Sequence, residues 1–223
     1  MVADSDAHPS VNVPPTTRVA LALGMHGALG EELLAQLVAD PRYAWVHVGL
    51  RHSIGAASPK YRPWVVGHST ILADDGYVCL SDDHAPGTPS PIARFRATDA
   101  LRATDIVRAA GVRRLIVIAP ESSDPERLEL GTMDFETLII VWSDVQSPRF
   151  GHGWVRRALD AMGRIAPEAS SNRPSMQAAR TTAINLLAAF DHCGAGVHRV
   201  TLRELAAYGG GSKSGRPRRT ASS

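Results

Sequence analysis

The chain contains few of the residues on which several common kinds of protein site depend. Only Lys60 and Lys213 are lysines among its 24 basic Lys and Arg residues, and it has four tyrosines. Its two cysteines, Cys79 and Cys193, lie far apart in the sequence. We therefore expect them to be small buried side chains in a reducing compartment, and we expect neither a disulfide framework nor a cysteine-based metal site.

Long hydrophobic runs are also missing. No apolar stretch reaches the roughly 18–20 residues that a membrane-spanning helix needs. The opening stretch, MVADSDAHPSVNVPP, is acidic and contains prolines, and it has neither the basic nor the apolar segment of a signal peptide. The sequence thus predicts a cytoplasmic protein that does not enter a membrane.

The basic charge is concentrated at the C-terminus. The formal net charge is +2, and the tail GGGSKSGRPRRTASS carries four basic residues and no acidic one, so the rest of the chain is nearly neutral. A basic tail can contact nucleic acid or anionic lipid. We favour the simpler interpretation of a solvated tail, and we do not expect nucleic-acid binding.

Strand-like and helix-like segments alternate between two polar tails. Residues 1–17 and 209–223 are predicted to be disordered, and residues 18–208 to form one domain. This alternation is typical of an α/β, Rossmann-like, doubly wound fold with a mainly parallel sheet and helices on both faces. Strands are predicted near residues 18–23, 45–50, 64–66, 77–80, 115–119 and 138–142, and helices near 29–38, 100–110, 154–165, 175–190 and 202–207.

Three glycines lie between the first predicted strand and the first predicted helix, in the pattern G-x-x-G-x-x-G. In a nucleotide-binding turn they permit a tight bend, a close backbone approach to a pyrophosphate, and close packing of the helix. A glycine-rich turn that binds nothing is the alternative, and His26 either points outward or donates to a phosphate. The predicted cofactor-binding residues here are Gly24, Met25, His26, Gly27, Ala28, Leu29 and Gly30.

The end of the second predicted strand indicates which dinucleotide is preferred. An acidic residue there would bind the ribose hydroxyls of NAD, but no Asp or Glu occurs between Tyr43 and Lys60. Arg51, together with His52, can pair with a 2′-phosphate through charge-assisted hydrogen bonds. The sequence therefore favours NADP(H) over NAD(H), with a plain surface arginine as the alternative.

The stretch RVALALGMHGALGEELLAQLVADPRYAWVHVGLR resembles the opening of atypical short-chain dehydrogenase/reductases, including nucleoside-diphosphate-sugar epimerase-like proteins. In that family the second strand ends in Gly-Arg-Arg, here Gly49-Leu50-Arg51. The segment GYVCLSDD resembles the fourth strand, which implies that Leu80 and Ser81 lie beside the cofactor. ATDALRATDIVRAAGVRRLIVIAP resembles the next helix and strand, so the resemblance implies an NAD(P)-binding Rossmann domain.

The catalytic dyad of that family is missing from this chain. Its reductases use a Tyr and a Lys four residues apart, together with a Ser, to move a proton and polarise a carbonyl. The residues four positions after the four tyrosines are His47, Val65, Ser81 and Ser212. We therefore expect a non-catalytic, cofactor-binding sensor or scaffold. The alternative is an NADPH-dependent oxidoreductase or epimerase-like enzyme with His84 or Ser122 as its acid.

Two further segments of the sequence bear on metal binding and on self-association. Asp82, Asp83 and His84 are adjacent in the sequence, and adjacent residues rarely converge on one ion, so no metal site is expected. The amphipathic helix near residues 154–165 would face the core or a second copy of the chain, which leaves a homodimer open. The sequence does not identify a small-molecule substrate.

Overall fold

A parallel sheet forms the centre of the protein. The computed structural model describes residues 17–52, 59–81, 91–120, 134–143 and 174–209. The predicted tails, apart from residues 17 and 209, and the helix predicted near residues 154–165 lie outside these ranges. The strands are β1 Arg18–Leu23, β2 Tyr43–Leu50, β3 Tyr61–Val65, β4 Asp75–Ser81, β5 Phe95–Arg96, β6 Arg114–Pro120, β7 Thr137–Ser143 and β8 Gly196–Thr201.

The order of the strands in the sheet is β3-β2-β1-β4-β6-β7-β8, every pairing is parallel, and the short β5 pairs with β4. The chain first builds outward from β1 to β2 and β3, then returns to place β4 on the other side of β1. The direction of winding therefore reverses between β1 and β4. In open parallel sheets, ligands bind at such a reversal, beyond the carboxyl ends of the strands.

Helices cover both faces of the sheet. They are α1 Gly27–Ala39, α2 Ala100–Ala109, α3 Pro174–His192 and α4 Leu202–Gly209. Ala20 and Ala22 of β1 pack with buried residues of α1 and α3 in one core. Leu21 and Leu23 point to the opposite face and pack with α2 in the other, because successive side chains of a strand alternate between faces. The predicted α/β, Rossmann-like, doubly wound fold is confirmed.

Three strands differ from the sequence-based expectation. β5 was not predicted, because its two residues are too few to form a pattern. β8 was not predicted, because Val200 is its only buried side chain and its remaining positions carry no apolar run. It forms by parallel pairing with β7, where Thr137 lies opposite Gly196. β3 starts at Tyr61, before the predicted residue 64. It contains Pro63, which is compatible with a strand at the edge of a sheet because an edge strand has no ladder bond to lose on its outer side.

A buried polar network joins the amino ends of the central strands. The Asp75 side chain is 1% exposed and accepts hydrogen bonds from Arg114 Nε at 2.7 Å and Nη2 at 2.6 Å. Tyr43 Oη also donates to Asp75, at 2.8 Å, and lies 2.8 Å from the hydroxyl of Tyr77. The Arg114 guanidinium stacks on the Phe190 ring at 4.5 Å. These groups tie β2, β4 and β6 to α3 at the amino edge of the sheet.

We predict that Asp75→Asn lowers the free energy of unfolding by about 3 kcal/mol, because it leaves the largely buried guanidinium of Arg114 without its carboxylate. Urea denaturation would measure the change. Glu136→Gln is the matched control, because the Arg113–Glu136 pair at 2.9 Å is mostly exposed. That substitution should cost less than about 1 kcal/mol. Equal losses in the two variants would contradict a structural role for the network.

Candidate functional site

The carboxyl ends of β1, β2 and β4 meet where the strand order reverses. Gly24 follows β1, Arg51 follows β2, and Ser81 ends β4. Since β1 pairs with both β2 and β4, these three chain ends lie side by side at one edge of the sheet. The predicted cofactor site therefore has its loop and its arginine at the position where parallel sheets bind ligands.

The glycines of the loop are required by close packing within the chain. Gly24 has φ +68°, and a Cβ there would overlap the carbonyl oxygen of Cys79 in β4. A Cβ on Gly30 would lie 2.7 Å from the carbonyl carbon of Met25. Gly27 has φ +72°, a conformation that side chains disfavour. The loop is thus held tightly between β4 and the first turn of α1.

The larger side chains of the loop point into the core. Met25 is 1% exposed, and its Sδ lies 3.7 Å from Cys79 Sγ. Ala28 and Leu29 are buried as well. Met25 therefore does not crowd the outer side of the loop, and the loop presents its backbone there. Burial raises the pKa of the Cys79 thiol to about 12, so this cysteine is a neutral packing residue.

The N-terminus of α1 has no side-chain cap. His26 occupies the N-cap position without a capping hydrogen bond, and the first turn contains no acidic residue. The first N–H groups of a helix have no partner within the helix and carry partial positive charge. This end of α1 therefore suits an anion.

Burial and two arginines determine the protonation state of His26. Burial is the main cause that lowers the pKa of its imidazole to about 4, and the guanidinium groups of Arg94 and Arg51 lower it further. The ring also interacts with the backbone at Ala93 and Ile92. Its Nε2 atom is buried and has no hydrogen-bond partner among the described residues. The imidazole is thus neutral at pH 7, with one polar atom left unsatisfied.

Arg94 was not among the residues predicted from the sequence. It reaches the site because residues 91–94 cross the end of β2, where Arg51 N donates to Pro91 O at 2.7 Å and Ala93 N donates to Gly49 O at 3.0 Å. Arg94 Nε then donates to Ser81 Oγ at 3.0 Å. Residues 91–94 have no motif of their own, so only the backbone pairing with β2 reveals their position.

The other predicted residues differ in burial and in hydrogen bonding. Ser81 Oγ donates a hydrogen bond to Phe95 O at 3.1 Å and accepts one from Arg94. Its hydroxyl is therefore bonded within the chain both as a donor and as an acceptor. Leu80 is fully buried in the core on the α2 face. His52 is exposed beside Arg51. His84 and Ser122 lie outside the described residues.

The tyrosines and the described lysine are placed away from the candidate site. Tyr43 and Tyr77 belong to the network at the amino edge, and Tyr61 is the first residue of β3. Tyr208 stacks on His192 near the end of α3, with 5.3 Å between the ring centroids. Lys60 precedes β3, and its Nζ donates to Asp40 O at 2.9 Å, at the C-terminus of α1.

Comparisons with known proteins do not add to this assignment. Scans of the chain against protein-family models and against curated proteins found no match. Within the described ranges, no group of His, Cys, Asp or Glu side chains is arranged to hold a metal ion. None of the helices in the same ranges is both long enough and apolar enough to cross a bilayer.

We predict that Gly24→Ala destabilises the protein by about 3 kcal/mol or more, because a Cβ there adds overlap with β4 to the strain of a positive φ. Gly67→Ala is the matched control: Gly67 has φ +86°, and a Cβ there would meet nothing within 4 Å. The control should cost only the backbone strain, about 1–2 kcal/mol. Equal losses in urea denaturation would show that the loop does not pack tightly on β4.

Proposed function

We propose that this protein binds NADP(H) at the reversal point between β1 and β4. The observation that carries the proposal is the group of cationic and donor groups at that edge. Arg51 and Arg94 lie close enough to His26 to lower the pKa of its imidazole. His26 itself is the N-cap residue of α1, and its side chain does not cap the helix. The two guanidinium groups and the N–H groups of the helix N-terminus would attract a phosphate-bearing ligand.

The residues present fit the two anionic parts of this cofactor. The backbone N–H groups of the first turn of α1, starting at Gly27, would hold the pyrophosphate. Arg51, at the end of β2, would pair with a 2′-phosphate. No acidic residue occupies the end of β2, where it would favour the ribose hydroxyls of NAD. This combination supports NADP(H) over NAD(H).

We further propose that the protein is a degenerate relative of the atypical short-chain dehydrogenase/reductases that binds its cofactor without catalysing a reaction, as a sensor or scaffold. NADPH, when bound, supplies a hydride, but reduction of a carbonyl also needs an acid to donate a proton. The hydroxyls of Tyr43 and Tyr77 are bonded at the amino edge, and Lys60 is bonded to Asp40. These positions support a binding role.

We predict that NADPH binds more tightly than NADH, and that Arg51→Ala weakens NADPH binding selectively. A lost hydrogen bond between charged groups is worth about 1.5–3 kcal/mol, or about 10–100-fold in Kd. Calorimetric titration would measure both ligands. Arg113→Ala is the control, because it removes the same charge from an exposed site at the amino edge of the sheet.

Each result of this titration has a definite meaning. Preference for NADPH that is lost in Arg51→Ala and kept in Arg113→Ala would support the assignment. Tighter binding of NADH would refute the role of Arg51. Absence of binding by either dinucleotide would refute the cofactor site as a whole.

We also predict that NADPH is not oxidised at an appreciable rate with ordinary aldehydes, ketones or nucleotide sugars. General acid catalysis contributes about 10²–10⁴-fold to such rates, and the family's Tyr-Lys pair is absent. The absorbance of NADPH across a panel of carbonyl compounds tests this directly. Rapid turnover that His84→Ala or Ser122→Ala abolishes would contradict the binding-only role and establish a substitute acid.

A further inference from the structure

A cavity of about 420 Å³ lies between α3 and α4. Within the described ranges, all of the residues that line it belong to these two helices. α4 contacts β7 and β8, the strands farthest from β3 in the sheet. The cavity is therefore separate from the reversal point between β1 and β4, and its volume is in the range of small-molecule sites.

One stripe of α3 faces this cavity. Its four residues are spaced so that they share one side of the helix: Ala178, Thr181, Thr182 and Asn185. A stripe that faces a neighbouring helix is ordinarily apolar, yet three of these four side chains are polar. The two helices thus leave a space where larger apolar side chains would close the contact. Further along, Tyr208 stacks on His192 with 5.3 Å between the ring centroids, so the helices are in contact there.

Asn185 is a buried polar side chain in the wall of the cavity. It is 6% exposed, and its side chain forms no hydrogen bond among the described residues. Burying an amide without a partner destabilises a folded protein, and buried polar groups in native proteins are nearly always bonded. The carboxamide of Asn185 is therefore available to a molecule that enters the cavity.

We propose that this cavity binds a small neutral molecule with a planar amide or nucleobase edge, which exchanges a pair of hydrogen bonds with Asn185. The carboxamide of asparagine offers an N–H₂ donor beside a carbonyl acceptor. It pairs with an edge that presents the complementary acceptor and donor, as the edge of adenine does. This inference does not depend on the proposed cofactor site.

The other lining residues favour a neutral ligand with a ring. No charged side chain lines the cavity in the described part of the chain, so a charged ligand would lose its hydration without compensation. Leu202 and Leu205 of α4 provide an apolar wall. Gln177 and Thr181 lie at the solvent-exposed rim, whereas Leu205 is fully buried, so a ligand can enter from solvent and reach Asn185.

NMR of the Asn185 side-chain N–H₂ group tests the site directly. Benzamide and adenine are the probes, because each carries a donor and an acceptor side by side on a planar molecule, and both should shift these signals. The tighter of the two identifies a carboxamide or a nucleobase as the natural source of this edge. Signals that neither probe shifts, up to its solubility limit, would overturn the proposal.

Two compounds of the same shape as benzamide serve as controls. Acetophenone has a methyl group in place of the amide N–H₂, and benzoate replaces the amide with a charged carboxylate. Each should bind about tenfold more weakly than benzamide or worse, because acetophenone lacks the donor and benzoate must also be desolvated. Equal binding of all three compounds would overturn the pairing with Asn185.

Asn185→Leu separates a ligand site from a structural role. Leucine is of similar size and has no amide, so the variant should raise the urea midpoint of the free protein and weaken binding of the tighter probe about tenfold or more. Ile184→Ala is the control for binding, because Ile184 is 44% exposed on the same helix and does not line the cavity. Tyr43→Phe is the control for stability: it removes a buried hydroxyl bonded to Asp75 at 2.8 Å and should lower the midpoint.

Either of two results with Asn185→Leu would contradict the proposal. Binding of the probe at wild-type strength would show that the amide does not contact the ligand. A midpoint that falls as it does in Tyr43→Phe would show that the amide stabilises the fold. A raised midpoint with lost binding, and unchanged binding in Ile184→Ala, would support the site.

Discussion

The close approach of the β1–α1 loop to β4 is the constraint on which the candidate site depends. At Gly24 the backbone passes so near the carbonyl of Cys79 that no side chain fits between them. This contact turns the chain sharply out of β1, directs Met25 into the core, and starts α1 at the edge of the sheet. His26 is left at the helix N-terminus, near Arg51 and Arg94, which both lower the pKa of its imidazole.

Ion pairs hold the amino edge of the sheet together. Asp75 pairs with Arg114, and Asp40 pairs with Arg42 at 2.7 Å. The pair of Asp75 and Arg114 ties β4 to β6, and breaking a buried pair of this kind is strongly destabilising. At the carboxyl edge, Arg51 and Arg94 both lower the pKa of His26.

Most of the fold could be predicted because its strands are buried on both faces. Runs such as Leu115–Ala119 and Leu138–Val141 are continuous and apolar, and they are fully buried in the structure. β8 could not be predicted in this way, because an edge strand such as Gly196–Thr201 needs a partner strand more than a burial pattern. The position of the glycine loop could be predicted, because its three glycines lie between the first predicted strand and the first predicted helix. The position of Arg94 could not be predicted, because it depends on backbone bonds between residues distant in sequence.

We have proposed that the carboxyl edge between β1 and β4 binds NADP(H) without a catalytic acid. A crystal structure of the protein with NADPH would test this proposal most directly. We expect the pyrophosphate at the N-terminus of α1, the 2′-phosphate beside Arg51, and no proton donor facing C4 of the nicotinamide. A dinucleotide bound elsewhere would contradict the site, and an acidic side chain directed at C4 would contradict the binding-only role.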